Sequence, residues 1–250
     1  FMITSFDFAN QKIKFRKQVI KGGIIIELTG ESAWSDSINK QYQFCDDGLT
    51  DARDGRSYQT VLIGDQCWMA ENLDIGTRIE GTIEQSDNGT IEKYCYNDTD
   101  ANCAVWGGLY SWNELMQYKT TPGTQGICPK GWHVPTDEEW QKLEGAVDSL
   151  YAAGDPEWDL LGWRGSTAGR NLKSVSGWTG LKNGTDSFGF GALPGGKRLD
   201  GGSYDGSDST AWFWNSTSID SNAYYRQLSG DWHEIERDSS LDNTNGLSVR

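Results

Sequence analysis

At 250 residues with 12 Trp, 31 Gly and 5 Pro, the chain has enough aromatic and apolar mass to bury a core, which excludes a disordered chain. A formal net charge of -14 removes the basic face that wrapping nucleic acid or docking on an anionic membrane requires, so no nucleic-acid partner is expected. The longest aliphatic stretch, Ile24-Ile25-Ile26, falls far short of the ~20 residues of a bilayer span, so no membrane span is expected.

Charge is uneven along the chain. Residues 1–44 carry six Lys/Arg and four Asp/Glu, a net of +2, against a net of -16 for the remainder, so the first segment reads as a separate module. It starts at Phe1 without a secretory leader, which leaves processing or original absence as alternatives. Partial alternation (Phe6, Phe8; Ile13, Phe15) and the Gly22-Gly23 break before an aliphatic run predict two or three strands. The basic cluster Lys12, Lys14, Arg16, Lys17 and Lys21 is most simply a solvated strand face. The alternative is strand addition to a neighbouring subunit, with residues 1–44 as a self-association element.

From Cys45 onward, β-like runs such as "SYQTVLIG" and "CWMAENL" alternate with loops rich in Gly, Asn, Asp, Ser and Thr. "SWNE" (111–114) and "TDEE" (136–139) match the S/T-x-x-E capping box, marking two helix starts. After Thr136, Trp140, Leu143, Val147, Leu150 and Tyr151 fall near helical spacing and predict a helix of about four turns. Asp155-Pro156 opens another short one. Beyond Lys173, strands are expected at "AWFWNST", "NAYYRQL" and "GLSVR". The order is β, two or more helices, then a β-rich end, which is an α+β pattern with short sheets and long loops.

The cysteines Cys45, Cys67, Cys95, Cys103 and Cys128 contain no C-x-x-C, so the usual zinc and redox spacings are absent. Cys95 and Cys103 bracket the polar loop "YNDTDAN", which a disulfide closes easily, favouring an oxidising compartment. The alternative is five buried reduced thiols. An odd number leaves one cysteine unpaired within the chain.

The segment "GICPKGWHVPTDEEW" (126–140) has the residues of a metal or acid/base site. Asp137, Glu138 and Glu139 nevertheless fall in the first turn of the helix, where the dipole favours them, and the stretch reads as a structural joint with His133 hydrogen-bonded in the core. None of the motifs G-x-S-x-G, H-E-x-x-H, a Walker loop or G-x-G-x-x-G before a helix occurs, so no enzyme is expected. "NDTD" (97–100) and "DGGSYDGSDS" (200–209) offer hard oxygens that suit a structural calcium ion, although such loops also arise as turns. Of Trp212, Trp214, Tyr224 and Tyr225, at least half belong to the core. Trp232, in the polar stretch "SGDWHEIERD", is expected on a loop with its ring available to a sugar.

Seven stretches, "DARDGRSYQTVLIGDQCWMAENL" (51–73), "YCYNDTDANCAVWGGLYSWNE" (94–114), "GICPKGWHVPTDEEW", "AGRNLKSVSGW" (168–178), "FGFGALPGG" (188–196), "AWFWNST" (211–217) and "GLSVR" (246–250), resemble in order the Fibrobacter succinogenes major paralogous domain. The resemblance covers residues 45–250. It implies a compact α+β domain of the C-type lectin-like and formylglycine-generating-enzyme-like fold group, found in exported bacterial surface proteins. The ligand face it implies brings Tyr204, Asp208, Trp232, His233 and Glu236 near one another. The family pattern continues from "GLSVR" into a cysteine, which implies that Cys128 pairs there and that Cys95–Cys103 and Cys45–Cys67 are the other bridges. The copper-binding cysteine pair of formylglycine-generating enzymes is missing, as are the Glu-Pro-Asn and Gln-Pro-Asp tripeptides of calcium-bridged sugar binding. The expected function is therefore adhesion or glycan recognition by a non-enzymatic extracellular or cell-surface protein. The alternatives are a filament subunit joined through residues 1–44, and an enzyme of the formylglycine-generating group.

Overall fold

The computed structural model describes the backbone of residues 2–7, 12–21 and 24–33, and all of residues 45, 48–179, 183–219 and 222–250. They belong to two compact units, Phe1–Phe44 and Cys45–Arg250. The first unit is a three-stranded antiparallel sheet of β1 (Met2–Asp7), β2 (Lys12–Lys21) and β3 (Ile24–Ala33), in that order. β2 and β3 pair without interruption from Lys12↔Ala33 to Lys21↔Ile24, while the β1–β2 register shifts between Ile3 and Ser5.

The second unit is α+β. It opens with three small ladders: β4 (Leu49–Thr50) with β5 (Ser57–Tyr58), β6 (Thr60–Ile63) with β7 (Gln66–Met69), and β8 (Thr77–Arg78) with β9 (Glu92–Lys93). Helices α1 (Asp100–Trp106), α2 (Trp112–Leu115) and α3 (Asp137–Val147) follow, then a 3-10 turn at Pro156–Asp159, β10 (Gly162–Arg164) and α4 (Ala168–Leu172). The chain ends with β11 (Gly195–Arg198), β12 (Tyr204–Ser207), β13 (Thr210–Ile219), β14 (Asn222–Ser229) and β15 (Ile235–Asp238). These five strands and β10 form one sheet in the order β10-β15-β14-β13-β11-β12, antiparallel except between β11 and β13. "GLSVR" contributes single bridges, Leu247 to Tyr110 and Ser248 to Phe213, rather than a full strand.

The capping box at α3 is complete: Thr136 Oγ1 accepts from the Glu139 amide at 3.2 Å, and Glu139 Oε2 accepts from the Thr136 amide at 2.8 Å. The helix stops at Val147, a turn earlier than the apolar spacing predicts. Asp148 ends it, because its carboxylate accepts from the amides of Leu150, Tyr151, Ser166, Thr167 and Ala168, drawing the chain away and capping α4. Gly145 allows the returning chain to approach, since a Cβ there would lie 2.3 Å from the Ala153 nitrogen. His133 is a correction to the expected core role. Its side chain is half-exposed, and Nε2 lies 2.9 Å from Glu139, whose hydrogen bond raises the imidazole pKa.

Disulfides join Cys45 to Cys67 and Cys95 to Cys103, and Cys128 is buried and free. The large sheet is covered on both faces, as alternation along β13 requires. Ala211 and Phe213 face a cluster with Trp68, Trp140, Trp158 and Phe190, whereas Trp212 and Trp214 face one with Tyr110, Trp112, Tyr225 and Leu247. Charges are also buried on the α3 side. Asp137 accepts from Arg226 at 2.7 Å and Arg237 at 2.8 Å, and Glu144 accepts from Arg164 at 2.6 Å and from Arg226. Burial alone would raise the Asp137 pKa, but hydrogen bonds from Arg237 and the charge of Arg226 outweigh it and hold the carboxyl below its usual range. Asp137 is thus an internal anchor as well as a first-turn acid.

Candidate functional site

On the other face of the large sheet, one residue from each strand falls into a single row. Trp163 pairs with Glu236, Glu236 with Gln227, and Gln227 with Trp212. Lys197, beside the Gly196↔Ala211 bridge, continues the row, and Asp205 pairs with Lys197. Opposed residues in a ladder share a face, so the row reads Trp, Glu, Gln, Trp, Lys, Asp.

The polar members of this row lack internal partners. Lys197 is 8% exposed and holds its ammonium over the Trp212 ring, 3.5 Å from the centroid. Among the described residues, the Lys197 ammonium, the Gln227 amide and the Glu236 carboxylate make no side-chain hydrogen bond or ion pair. Burial raises the Glu236 pKa, and the charge of Asp238 adds to the rise, with Lys197 and Arg164 opposing it. Burial lowers the Lys197 pKa against the charges of Asp205 and Glu236.

Trp232 stands at the β10 end of the row. It lies in the β14–β15 connection, 48% exposed, and stacks on Trp163 with centroids 5.9 Å apart and planes at 27°. The "AGRNLK" stretch fixes this connection. Lys173 Nζ donates to the carbonyls of Ser229 at 2.5 Å and Trp232 at 2.8 Å, and the Arg170 amide donates to the His233 carbonyl at 2.9 Å. Gly169 permits the contact, because a Cβ there would lie 2.0 Å from the Glu234 carbonyl oxygen.

Of the expected ligand residues, Trp232 and Glu236 come together through Trp163. His233 is adjacent to Trp232 and half-buried, and its amide donates to Glu234. Asp208 lies in the turn between β12 and β13, where Ser209 accepts from the Gly230 amide. Tyr204 precedes Asp205 on the same strand and has a partner within the fold. It sits on the far edge strand, four strand intervals or about 19 Å from Glu236, where its hydroxyl donates to Asp98 at 2.6 Å. Trp163, Lys197, Asp205 and Gln227 were not anticipated. The alternating pattern of β13, β14 and β15 carries part of the signal, but only the register places them in one row.

The calcium expectation finds its carboxylates in other roles. Asp98 accepts from Gly81 and Tyr204, Asp100 pairs with Arg78 at 2.8 Å, and Asp200 accepts from the Gly201 amide. Among the described residues, no group of three or more His, Cys, Asp or Glu is placed to hold a metal ion. A separate cavity of about 340 Å³ is lined by Arg56, Glu71, Asn72, Trp106 and Arg250. The Arg250 guanidinium beside it already donates to Asn72, Phe190 and Gly191.

The family model for the Fibrobacter succinogenes major domain matches residues 61–250. No curated protein and no solved structure matches the chain.

Proposed function

Because the chain belongs to the Fibrobacter succinogenes major domain family, a bacterial surface-associated family, we propose that it is a non-enzymatic extracellular or cell-surface protein that recognises a glycan through the Trp163–Lys197 row. The observation that carries this reading is a stacked aromatic pair, Trp232 exposed and Trp163 partly so, beside polar side chains without hydrogen-bond partners among the described residues. Sugars offer apolar ring faces for indole stacking and hydroxyls that both donate and accept, which suits Trp232 and Trp163 next to Glu236, Gln227 and Lys197. The two disulfides favour an oxidising compartment. No described helix is long and apolar enough to cross a membrane. A C-type lectin-like fold is our reading of residues 45–250; short sheets, four helices among the described residues and long loops support it.

A glycan array with the wild type, Trp232→Ala and Glu236→Gln tests the proposal. Retention of a glycan by the wild type and a loss of roughly tenfold or more in each variant is expected, as for one stacked ring or one charge-assisted hydrogen bond. Absence of wild-type binding across the array counts against glycan recognition.

A second reading is assembly into a filament through residues 1–44. It is favoured by a separate sheet in which β1 and β3 each have a single partner strand among the described residues. Size-exclusion chromatography before and after deletion of residues 1–44 tests it, and polymers that persist without them refute it.

A further inference from the structure

The partnerless groups of the row are spread out, and their spacing bears on the shape of the ligand. Strands lie ~4.8 Å apart, so the backbones of Trp163 on β10 and Lys197 on β11 are about 19 Å apart across four intervals, and the Lys197 ammonium, lying over Trp212, is about one interval nearer. A single pyranose ring is comparable in length to one interval. A monosaccharide on the Trp163–Trp232 pair therefore reaches Glu236 and leaves Lys197 without an acceptor. Lys197 is nine-tenths buried on this face, but its ammonium over Trp212 is not among the buried atoms without a partner, so it meets solvent and is open to an acceptor on a ligand. A ligand that satisfies both ends must be extended.

We infer, resting on the glycan reading above, that the row binds a linear oligosaccharide laid across the strands, with successive residues meeting Trp163 and Trp232, then Glu236, Gln227 and Lys197. The charges select a neutral chain. Asp205 and Glu236 act on the one Lys197, and Asp238 acts on Glu236, so the strip has a negative balance that repels uronic or sulfated sugars, in a protein of net charge -14. Hydroxyl groups serve the carboxylate at one end and the ammonium at the other, because each donates and accepts. The binding mode is internal to the chain, since neither end of the row is closed around a sugar terminus: Trp232 is half-exposed at one end and Asp205 is exposed at the other.

Calorimetric titration with β-1,4-linked gluco-, xylo-, manno- and N-acetylglucosamine oligosaccharides, graded from monosaccharide to hexasaccharide, tests this mode. In the series that binds, affinity rises about tenfold or more from disaccharide to tetrasaccharide and then levels off, the gain expected of a charge-assisted hydrogen bond at Lys197. Lys197→Met, which keeps an unbranched stem over Trp212, lowers tetrasaccharide affinity about tenfold and leaves disaccharide affinity unchanged. Gln227→Ala gives the same pattern with a smaller loss. Equal affinity for the monosaccharide and the tetrasaccharide, or an equal effect of Lys197→Met on both, overturns the extended mode and leaves glycan recognition intact. Failure of the wild type to bind any of these chains overturns both.

Discussion

Glu144→Gln isolates the contribution of the charges buried between α3 and the large sheet. The Glu144 side chain is 0% exposed and faces Arg164 and Arg226, at 1% and 0%. The amide keeps one acceptor oxygen but turns an NH2 toward the second guanidinium, so a charge-assisted bond worth ~1.5–3 kcal/mol becomes a donor–donor contact. Arg226 and Arg237 then keep Asp137, while Arg164 loses the carboxylate it pairs with among the described residues. Removing one partner of a buried pair costs roughly 3–5 kcal/mol, and we expect about 4 here. At ~2–4 °C per kcal/mol for a domain of this size, the melting temperature falls by roughly 8–16 °C. Urea unfolding followed by tryptophan fluorescence gives the free energy, and an unchanged denaturant slope shows that the folded state keeps its compactness. Arg78→Ala, which removes the exposed contacts with Glu80 and Asp100, serves as the control and leaves the midpoint where it was. A loss below about 1 kcal/mol for Glu144→Gln would refute the view that these charges hold α3 to the sheet.

Asp148→Ala removes the acceptor shared by five amides and destabilises the fold by roughly 2 kcal/mol at neutral pH, the upper range for losing a helix cap. Burial would raise the Asp148 pKa, but those amides lower it below 3.8. Its stabilisation is therefore complete above the unfolded value and lost as pH falls through the folded one, so the variant shows a shallower acid decline in melts taken down to about pH 2. Cys128 has its thiol pKa pushed up to about 12 by burial, and Arg53 only partly opposes this. Iodoacetamide leaves it unlabelled in the native protein and labels it alone after denaturation without reductant; mass spectrometry that finds label at Cys95 or Cys103 in that sample contradicts the assigned bridge.

Local chemistry was the legible part of the sequence. The Thr136–Glu139 box needs only neighbouring residues, and both halves of it form. The Cys95–Cys103 bridge closes a loop too short to hide, and Asp155 caps the turn at Pro156 as its sequence suggests. Long-range placement was less visible. β10 joins β15 after some seventy intervening residues, and β11 pairs in parallel with β13 past β12, so alternation within each strand could not say which side chains would meet. The same limit explains Tyr204, which belongs to a loop-rich stretch near Asp208 in sequence but to the Asp98 side of the fold. The acids were legible only in part: Asp137 lies in the first turn as its position indicates, but that signature is the same whether or not two arginines from distant strands converge on it.

The two faces of the large sheet treat buried charge in opposite ways, and this difference argues for a site better than either face alone. Toward α3, Arg164, Arg226 and Arg237 each find a carboxylate, so the fold is able to satisfy cations it buries. On the other face Lys197 is almost as buried and has aromatic contact without a hydrogen-bond acceptor among the described residues. If Lys197 is held for a ligand, the unliganded protein bears the cost of its partial desolvation, which lowers its pKa, offset in part by the Trp212 contact, worth ~0.5–2 kcal/mol. Lys197→Met should then raise unfolding stability, by about 1 kcal/mol, while it weakens tetrasaccharide binding. Chemical denaturation of both proteins without sugar measures the first effect. A variant less stable than the wild type by 1 kcal/mol or more, on the scale of that same Trp212 contact, would make Lys197 a structural residue and remove the physical reason for placing the ligand along this row.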